Sequence, residues 1–258
     1  MKLTIVGCTG SMSGPESAAS SYLIQARDGD RTWSLLLDMG PGSFGSLMRL
    51  MEPGQLDAVF LSHLHADHMS DMISCHVYRR WHPDGALGPV DVYAPGGAME
   101  RVRGVGGDGA DETYGTEFAF HALAEEAPVQ VGPFTVTAHA VEHPVEAYAL
   151  RIEGPSESGG RAVITYSGDT DECAGLVSAA RDADLFLSEA AFVEGRDDVR
   201  GIHLTGERAG DVATQAGSRL LVLTHIQPWT DPGVVAAGAR DHYDGPVEVA
   251  VSDAVFEV

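Results

Sequence analysis

The stretch that most constrains this chain is a cluster of three histidines and one aspartate, Ser62-His63-Leu64-His65-Ala66-Asp67-His68. It directly follows the apolar segment 57–61, which has the length and composition of a buried strand. After the cluster, apolar side chains recur at helical spacing between residues 69 and 80. The sequence therefore predicts a strand that runs into a helix, with the cluster at the junction of the two.

The spacing within this cluster separates its side chains into two groups. His63 and His65 are two positions apart in extended chain, so their imidazoles are predicted to point to the same side. Asp67 and His68 open the helix and project from a turned backbone. Imidazole nitrogens with a few carboxylate oxygens suit Zn²⁺, and Mn²⁺ and Fe²⁺ are compatible with the same donors. The cluster therefore predicts two sets of metal ligands side by side.

A metal centre needs further ligands, and three residues elsewhere in the chain follow predicted strands. They are His143, Asp169 and His225, which come after strands predicted at 134–140, 162–167 and 220–224. The loops that follow such strands gather at one rim of a layered fold. The alternative, surface histidines at a helix N-terminus with Asp67 as a simple charge, is disfavoured by the density of imidazoles alone.

The pattern along the whole chain predicts a mixed α/β protein. Further strands are predicted at 3–6, 21–25, 33–38, 90–94, 118–122, 147–152, 184–188 and 247–251, and helices at 98–105, 174–180, 205–216 and 231–239. Two mixed sheets with helices outside them form a four-layer αββα sandwich. Residues 1–258 show no repeat of 20–50 residues and no low-complexity linker, so we expect a single domain.

Charge and cysteine content exclude several classes of protein. Lys and Arg number 16 against 38 Asp and Glu, and the net charge of −22 would repel a polyanion, so a nucleic-acid partner is not expected. Cys8, Cys75 and Cys173 are widely spaced and odd in number, which predicts neither a disulfide framework nor a thiolate zinc site. Without a signal peptide or an apolar run of about 18 residues, we expect a soluble cytoplasmic protein with no membrane partner.

This set of residues resembles the metallo-β-lactamase-fold hydrolases. The HxHxDH motif at 63–68, a third-motif His143, the GDT carboxylate Asp169 and a terminal His225 occur in that family's order along nearly the whole chain. The resemblance implies two divalent metal ions, with Zn²⁺ the first choice. One ion would be held by His63, His65 and His143, and the other by Asp67, His68 and His225. Asp169 would bridge the two ions. The β-lactamases themselves lack this bridging aspartate, so Asp169 favours the binuclear phosphodiesterase and thioesterase branches.

Two more stretches are similar to motifs of the phosphodiesterase branch that includes ribonuclease Z. Ser188-Glu189-Ala190 and Gly201-Ile202-His203-Leu204-Thr205 look like its HEA and HST motifs. The resemblance implies that His203 is the general acid for the leaving oxygen and that Glu189 orients it. An imidazole titrates in a suitable range for this role, and Asp67 could accept a proton from a water between the metals. The alternative for His203 is a loop histidine beside a helix capped by Thr205.

The chain departs from ribonuclease Z where that family grips tRNA with a long basic arm. Only 25 residues separate His143 from Asp169, and two predicted strands with the loop 154–160 account for them, so the arm is absent. Together with the acidic composition, this argues against a large RNA substrate.

Four stretches are similar to bacterial members of the fold that act as cyclic nucleotide phosphodiesterases. They are Ile5–Ser11, Tyr78–Pro83, Thr224–Thr230 and the ending Phe256–Val258. This resemblance implies hydrolysis of 3′,5′-cyclic AMP to 5′-AMP by a hydroxide that bridges the two metals. Three alternatives stay open: a ribonuclease Z-type tRNA 3′ endonuclease, a glyoxalase II-like thioesterase, and a metal-bound sensor without turnover. The expected small-molecule partner is a cyclic nucleotide. Members of this branch are commonly dimers, so a second copy of the chain is the other expected partner.

Overall fold

The computed structural model describes all 258 residues as two β-sheets with helices on their outer faces. The strands are β1 (Lys2–Thr9), β2 (Ala18–Ala19), β3 (Ser21–Asp28), β4 (Arg31–Leu37), β5 (Ala58–Phe60), β6 (Val90–Ala94), β7 (Phe118–Ala122), β8 (Pro128–Val131), β9 (Phe134–Ala140), β10 (Tyr148–Pro155), β11 (Arg161–Tyr166), β12 (Leu185–Glu189), β13 (Leu221–Thr224), β14 (Val247–Val249) and β15 (Val255–Glu257). The helices are α1 (Ser43–Leu50), α2 (Ala66–Met69), α3 (Met72–Arg80), α4 (Ala98–Gly106), α5 (Ala174–Ala180), α6 (Gly206–Ala216) and α7 (Pro232–His242), with a 3₁₀ turn at Pro53–Gln55. The longest helices have 11 residues, and none is long and apolar enough to cross a membrane.

Each of the two sheets contains a run of four parallel strands together with antiparallel strands. The first has the order β15-β1-β3-β4-β5-β6-β7, with β2 beside β1, and the second has the order β14-β13-β12-β11-β10-β9-β8. In the first sheet β4, β5, β6 and β7 run parallel, and in the second β11, β12, β13 and β14 do so. Both β9 and β11 are antiparallel to β10, so β9 also runs in the direction of β11.

Three buried clusters account for the four layers. A cluster of 24 buried residues lies between the sheets and includes Ile5, Phe60 and Phe134. Clusters of 19 and 18 buried residues lie between each sheet and its outer helices. Along β9 the buried and partly buried residues alternate, as the pleat of a strand requires when only one face meets the core. The predicted αββα sandwich with two mixed sheets is confirmed.

The predicted elements differ from the structure at a few points. The helix expected at 69–80 is divided into α2 and α3. Helix α1 and strand β8 were not predicted. Helix α1 has only eight residues and begins after Gly42, whose φ of 82° lies in the left-handed region. A glycine in this position is typical of a turn, so the sequence does not predict a helix here. Strand β8 begins with a proline and lies at the edge of its sheet. It has only four residues, too few for an alternation of apolar and polar side chains to indicate a strand.

Candidate metal and catalytic site

The carboxyl ends of the strands bring the candidate residues to one edge of the sandwich. The cluster at 63–68 follows β5, and residues from the second sheet follow β9, β11, β12 and β13. Because β9, β11, β12 and β13 run in one direction, their following loops emerge at the same edge. All seven predicted ligands and the predicted pair His203 and Glu189 meet there.

The first candidate metal group consists of His63, His65 and His143, whose ligand atoms lie within 4.8 Å of one another. The closest pair is His65 Nδ1 and His143 Nε2, which are 3.1 Å apart. His143 Nδ1 donates a hydrogen bond to the carbonyl of Ile202 at 2.9 Å, which orients the ring and leaves Nε2 for a metal. These three imidazoles are the set that the resemblance to the metallo-β-lactamase-fold hydrolases implies for one ion.

The second group consists of Asp67, His68, Asp169 and His225. Asp169 Oδ1 is 3.2 Å from His68 Nε2, and Asp169 Oδ2 is 3.4 Å from His225 Nε2. The same Oδ2 is also 3.7 Å from His63 Nε2 of the first group. Asp169 therefore lies between the two groups, which is the placement that a bridging carboxylate requires.

Unpartnered buried atoms test whether this donor set fits a metal. His63 Nε2, His68 Nε2 and Asp169 Oδ1 are buried and have no hydrogen-bond partner within the chain. Leaving a buried polar atom without a partner costs about 1–3 kcal/mol, so three such atoms within the two groups call for a ligand. Imidazole nitrogens and carboxylate oxygens are donors that divalent transition metals accept. The residues present fit two divalent metal ions.

Burial and neighbouring charges shift the pKa values of several residues in the two groups. Burial lowers the pKa of His63, and nearby His68 lowers it further, so this imidazole is held in the neutral form that binds metals. Burial also lowers the pKa of His225. Burial opposes ionisation of Asp169, but the imidazoles of His225, His68 and His63 outweigh it and hold the pKa of Asp169 well below its usual range. A charged carboxylate thus faces several imidazole rings.

Sequence reasoning missed Asp38, a fully buried residue that directly follows β4. One carboxylate oxygen accepts hydrogen bonds from His68 Nδ1 at 2.7 Å, from the Tyr166 hydroxyl at 2.7 Å and from Ser62 Oγ at 2.8 Å. The other accepts from the Ser62 backbone N–H at 2.7 Å. A carboxylate behind a ligating histidine fixes its ring and its tautomer. The sequence did contain a signal for Asp38, because this residue follows a strand at the same edge as the predicted ligands.

A second kind of site lies beside the metal groups and consists of His203 and Glu189. His203 Nδ1 is 2.8 Å from Glu189 Oε1 and 3.8 Å from Asp169 Oδ2. Glu189 is fully buried, and the backbone N–H groups of Thr170 and Ala191 bind its two oxygens at 2.9 and 3.0 Å. Burial works against a charged imidazole, but Glu189 outweighs it and raises the pKa of His203 to about 9. At neutral pH the ring therefore carries protons on both nitrogens, with Nδ1 turned to Glu189.

The loop that carries His203 is held by a buried aspartate that the sequence did not point to. Asp171 accepts hydrogen bonds from Arg208 Nη1 at 2.5 Å, from Arg200 Nε at 2.6 Å and from the Gly201 N–H at 2.7 Å. Arg208 Nη1 also donates to the His203 carbonyl at 3.1 Å. The three cationic and backbone donors thereby tie the segment around His203 to the loop that carries Asp169.

Comparison with known proteins gives consistent matches. A family profile described as the beta-lactamase superfamily domain matches residues 34–226. The protein Rv1339 of Mycobacterium tuberculosis is 40% identical over 265 residues, covering 100% of this chain and 92% of its own. The probable metallo-hydrolase YhfI of Bacillus subtilis is 30% identical with 100% of both chains covered, and its crystal structure superposes with a TM-score of 0.86. A ribonuclease Z of Myxococcus xanthus is 29% identical over 100% of this chain and 98% of its own.

Proposed function

Because this chain belongs to the beta-lactamase superfamily and is a metallo-hydrolase of that fold, we propose that it is a binuclear phosphodiesterase that hydrolyses 3′,5′-cyclic AMP to 5′-AMP. The resemblance found in the sequence is confirmed at the level of the family. The finer proposal, the substrate, depends on two features of this chain: the proton donor beside the metal groups and the short connection between His143 and Asp169.

The observation that carries the proposal is the pairing of His203 with Glu189 next to Asp169. Cleavage of a phosphodiester releases an alkoxide, which is a poor leaving group unless a positioned acid protonates it. His203 lies within 4 Å of the candidate bridging carboxylate and is held in its charged form by Glu189. A thioester releases a thiolate, which does not need this proton, so a glyoxalase II-like activity would leave the pair without a role.

The residues of the two metal groups supply the rest of the chemistry. His63, His65 and His143 would hold one ion, Asp67, His68 and His225 the other, and Asp169 both. Two bound Zn²⁺ ions would lower the pKa of water and neutralise charge on the phosphate oxygens. Asp67, whose carboxylate is 3.4 Å from His68 Nε2 and partly exposed, is placed to accept a proton at the open side of the second group.

The chain between His143 and Asp169 supports a small substrate. It consists of β10, β11 and a turn at residues 156–160, so no segment is left to form an arm that could embrace a folded RNA. The net charge of −22 also opposes binding of a polyanion, whose affinity rests on contacts from Lys and Arg to many phosphates. A cyclic nucleotide carries one negative charge, which the two ions can neutralise.

Product analysis with three substrates tests the proposal. The Zn²⁺- or Mn²⁺-loaded protein is incubated separately with 3′,5′-cyclic AMP, 3′,5′-cyclic GMP and a precursor tRNA, and the products are separated by chromatography. We expect 5′-AMP from cyclic AMP and an intact tRNA. Cleavage of the tRNA alone would favour a ribonuclease Z-type tRNA 3′ endonuclease and would overturn the proposal; the Myxococcus relative bears the name ribonuclease Z. Tight nucleotide binding without product would favour a sensor.

Replacing Arg208 should weaken the proton transfer rather than the metal site. In Arg208→Met, the segment around His203 loses the contacts of the Arg208 guanidinium with Asp171 and with the His203 carbonyl. A misplacement of a catalytic group by about 1 Å can cost about 10²-fold, so we expect kcat for cyclic AMP to fall by about 10- to 100-fold. Methyl 4-nitrophenyl phosphate, whose leaving group needs no proton, should lose less than about threefold.

Arg219→Met is the matched control for this prediction. Arg219 forms an exposed pair with Asp184, with Nη1 and Oδ1 2.8 Å apart, and lies outside the site. Exposed ion pairs contribute about 0–1 kcal/mol, so both activities should stay unchanged. An equal loss on both substrates in Arg208→Met, together with loss of metal, would show that Arg208 supports the fold or the metal groups instead.

A further inference from the structure

We propose that a groove beside His65 holds the nucleoside part of the substrate, an inference that rests on the phosphodiesterase function proposed above. The groove has a volume of about 290 Å³ and is lined on one side by Leu64 and His65. Its other walls come from the loop after β6, with Pro95 and Gly96, and from the loop after His143. Because His65 belongs to both the groove and the first metal group, a phosphate held at the metals would have its substituent at the mouth of the groove.

The size and surface of the groove suit one nucleoside. Ligand sites in proteins span about 300–1,000 Å³, so this groove is at the lower end and matches a single ring system with its sugar. Leu64, Pro95 and Val145 give it an apolar lining, and Val145 is 40% exposed. Flat bases bury their faces against apolar side chains, whereas a free phosphate or a simple alkyl group would gain little from such a surface.

Two charged side chains at the groove supply the polar partners that a nucleoside needs. Arg101 Nε donates a hydrogen bond to the Leu64 carbonyl at 3.1 Å, which anchors the guanidinium, while its terminal amino groups have no partner within the chain. A guanidinium plane stacks on a base or donates to its acceptors. Glu146 accepts from the Tyr148 hydroxyl at 2.8 Å and presents a carboxylate to amino or hydroxyl donors of the ligand.

Both the groove and the proposed proton donor lie beside the His143 ring. The His143 ring is 4.9 Å from the His65 ring and 5.6 Å from the His203 ring, measured between centroids. His65, which lines the groove, and His203, the proposed proton donor, are thus both neighbours of His143. A diester bound at the metals would place its nucleoside in the groove while its leaving oxygen faces His203, and in cyclic AMP that oxygen belongs to the same nucleoside.

Gly96 offers a way to fill the groove without disturbing the backbone. Its φ lies outside the left-handed region, and a Cβ at this position would meet only Glu146 Oε2, at 3.8 Å. Alanine should therefore be accommodated, whereas the longer side chain in Gly96→Leu would occupy the space between Pro95 and Val145. Gly45→Leu is the matched control, because Gly45 is exposed on α1 and a Cβ there meets nothing within 4 Å.

Two diesters with the same leaving group make the test specific to the groove. Thymidine 5′-(4-nitrophenyl phosphate) retains a nucleoside after cleavage, whereas methyl 4-nitrophenyl phosphate retains only a methyl group. In Gly96→Leu we expect kcat/KM for the thymidine ester to fall at least about tenfold while that for the methyl ester stays within about twofold. Gly45→Leu should behave as the unaltered protein on both, and Arg101→Met should raise KM for the thymidine ester alone, by about tenfold, the loss of one charge-assisted contact.

The outcomes separate the groove from the proposed function. If the unaltered metal-loaded protein hydrolyses neither diester nor cyclic AMP, the phosphodiesterase function itself fails. If it hydrolyses both diesters and Gly96→Leu lowers both equally or neither, the function stands and the groove is not the nucleoside site. Metal content measured on each variant verifies that the neighbouring ligand His65 is undisturbed.

Discussion

Replacing Asp169 with alanine should remove the bound metals and the hydrolytic activity in one step. This carboxylate lies within 4 Å of ligand atoms from both metal groups, His63 on one side and His68 and His225 on the other. Without it the first group has no carboxylate and the second keeps only Asp67, so both ions would be held less tightly. Since bound metals contribute several kcal/mol of transition-state stabilisation, turnover should fall by at least about 10³-fold. Elemental analysis after dialysis should find less than one metal per chain.

The surface variant Asp198→Ala provides the control for this experiment, because Asp198 is exposed and makes no ion pair in the structure. It should retain both metals and full activity. Asp169→Asn refines the test, since the amide keeps the shape of the side chain and removes its charge. An Asp169→Ala variant that still binds two metals and turns over substrate would show that the carboxylate does not bridge the groups.

Replacing His203 with alanine should have the opposite signature: metals retained, turnover lost. His203 contacts Glu189 and lies near Asp169, but it belongs to neither of the two metal groups, which are complete without it. Removal of a positioned general acid typically costs 10²–10⁴-fold, so we expect kcat for cyclic AMP to fall within that span. For methyl 4-nitrophenyl phosphate the loss should be much smaller, because nitrophenolate departs without a proton. Steady-state kinetics on both substrates measures the difference.

His121→Ala is the matched histidine control, since His121 is exposed, pairs with Asp91 and belongs to neither metal group. It should leave kinetics and metal content unaltered. If metal content collapsed in His203→Ala, this residue would be a ligand and the assignment of the general acid would be wrong. Full activity in His203→Ala would instead favour a hydrolase of thioesters, which leaves His203 without a role.

The candidate site was predictable because its residues follow strands. Strand periodicity identified where β5, β9, β11 and β13 end, and ligand-type residues followed each of them. Parallel strands deliver their carboxyl ends to one edge, so local patterns sufficed to place distant residues together. The resemblance then assigned roles to Glu189 and His203, and the 2.8 Å contact between them agrees with that assignment.

The supporting contacts were not predictable in the same way, because each joins elements that are distant in sequence. Asp38 binds Tyr166, 128 positions further along the chain, and Asp171 binds Arg208, 37 positions away. No periodicity relates such pairs, since they are fixed only when the two sheets pack. Helix α1 was missed for a related reason: its eight residues owe their stability to packing of Phe44 and Leu47 rather than to helix propensity.

Titration of the metal-free protein with Zn²⁺ or Mn²⁺, followed by the rate of 5′-AMP formation from 3′,5′-cyclic AMP, tests the central claim most directly. The account predicts no turnover without metal and a rate that rises to a plateau at two equivalents per chain, with 5′-AMP as the product. Undiminished turnover without metal, a plateau after one equivalent, or no turnover of cyclic AMP at any metal content would contradict it.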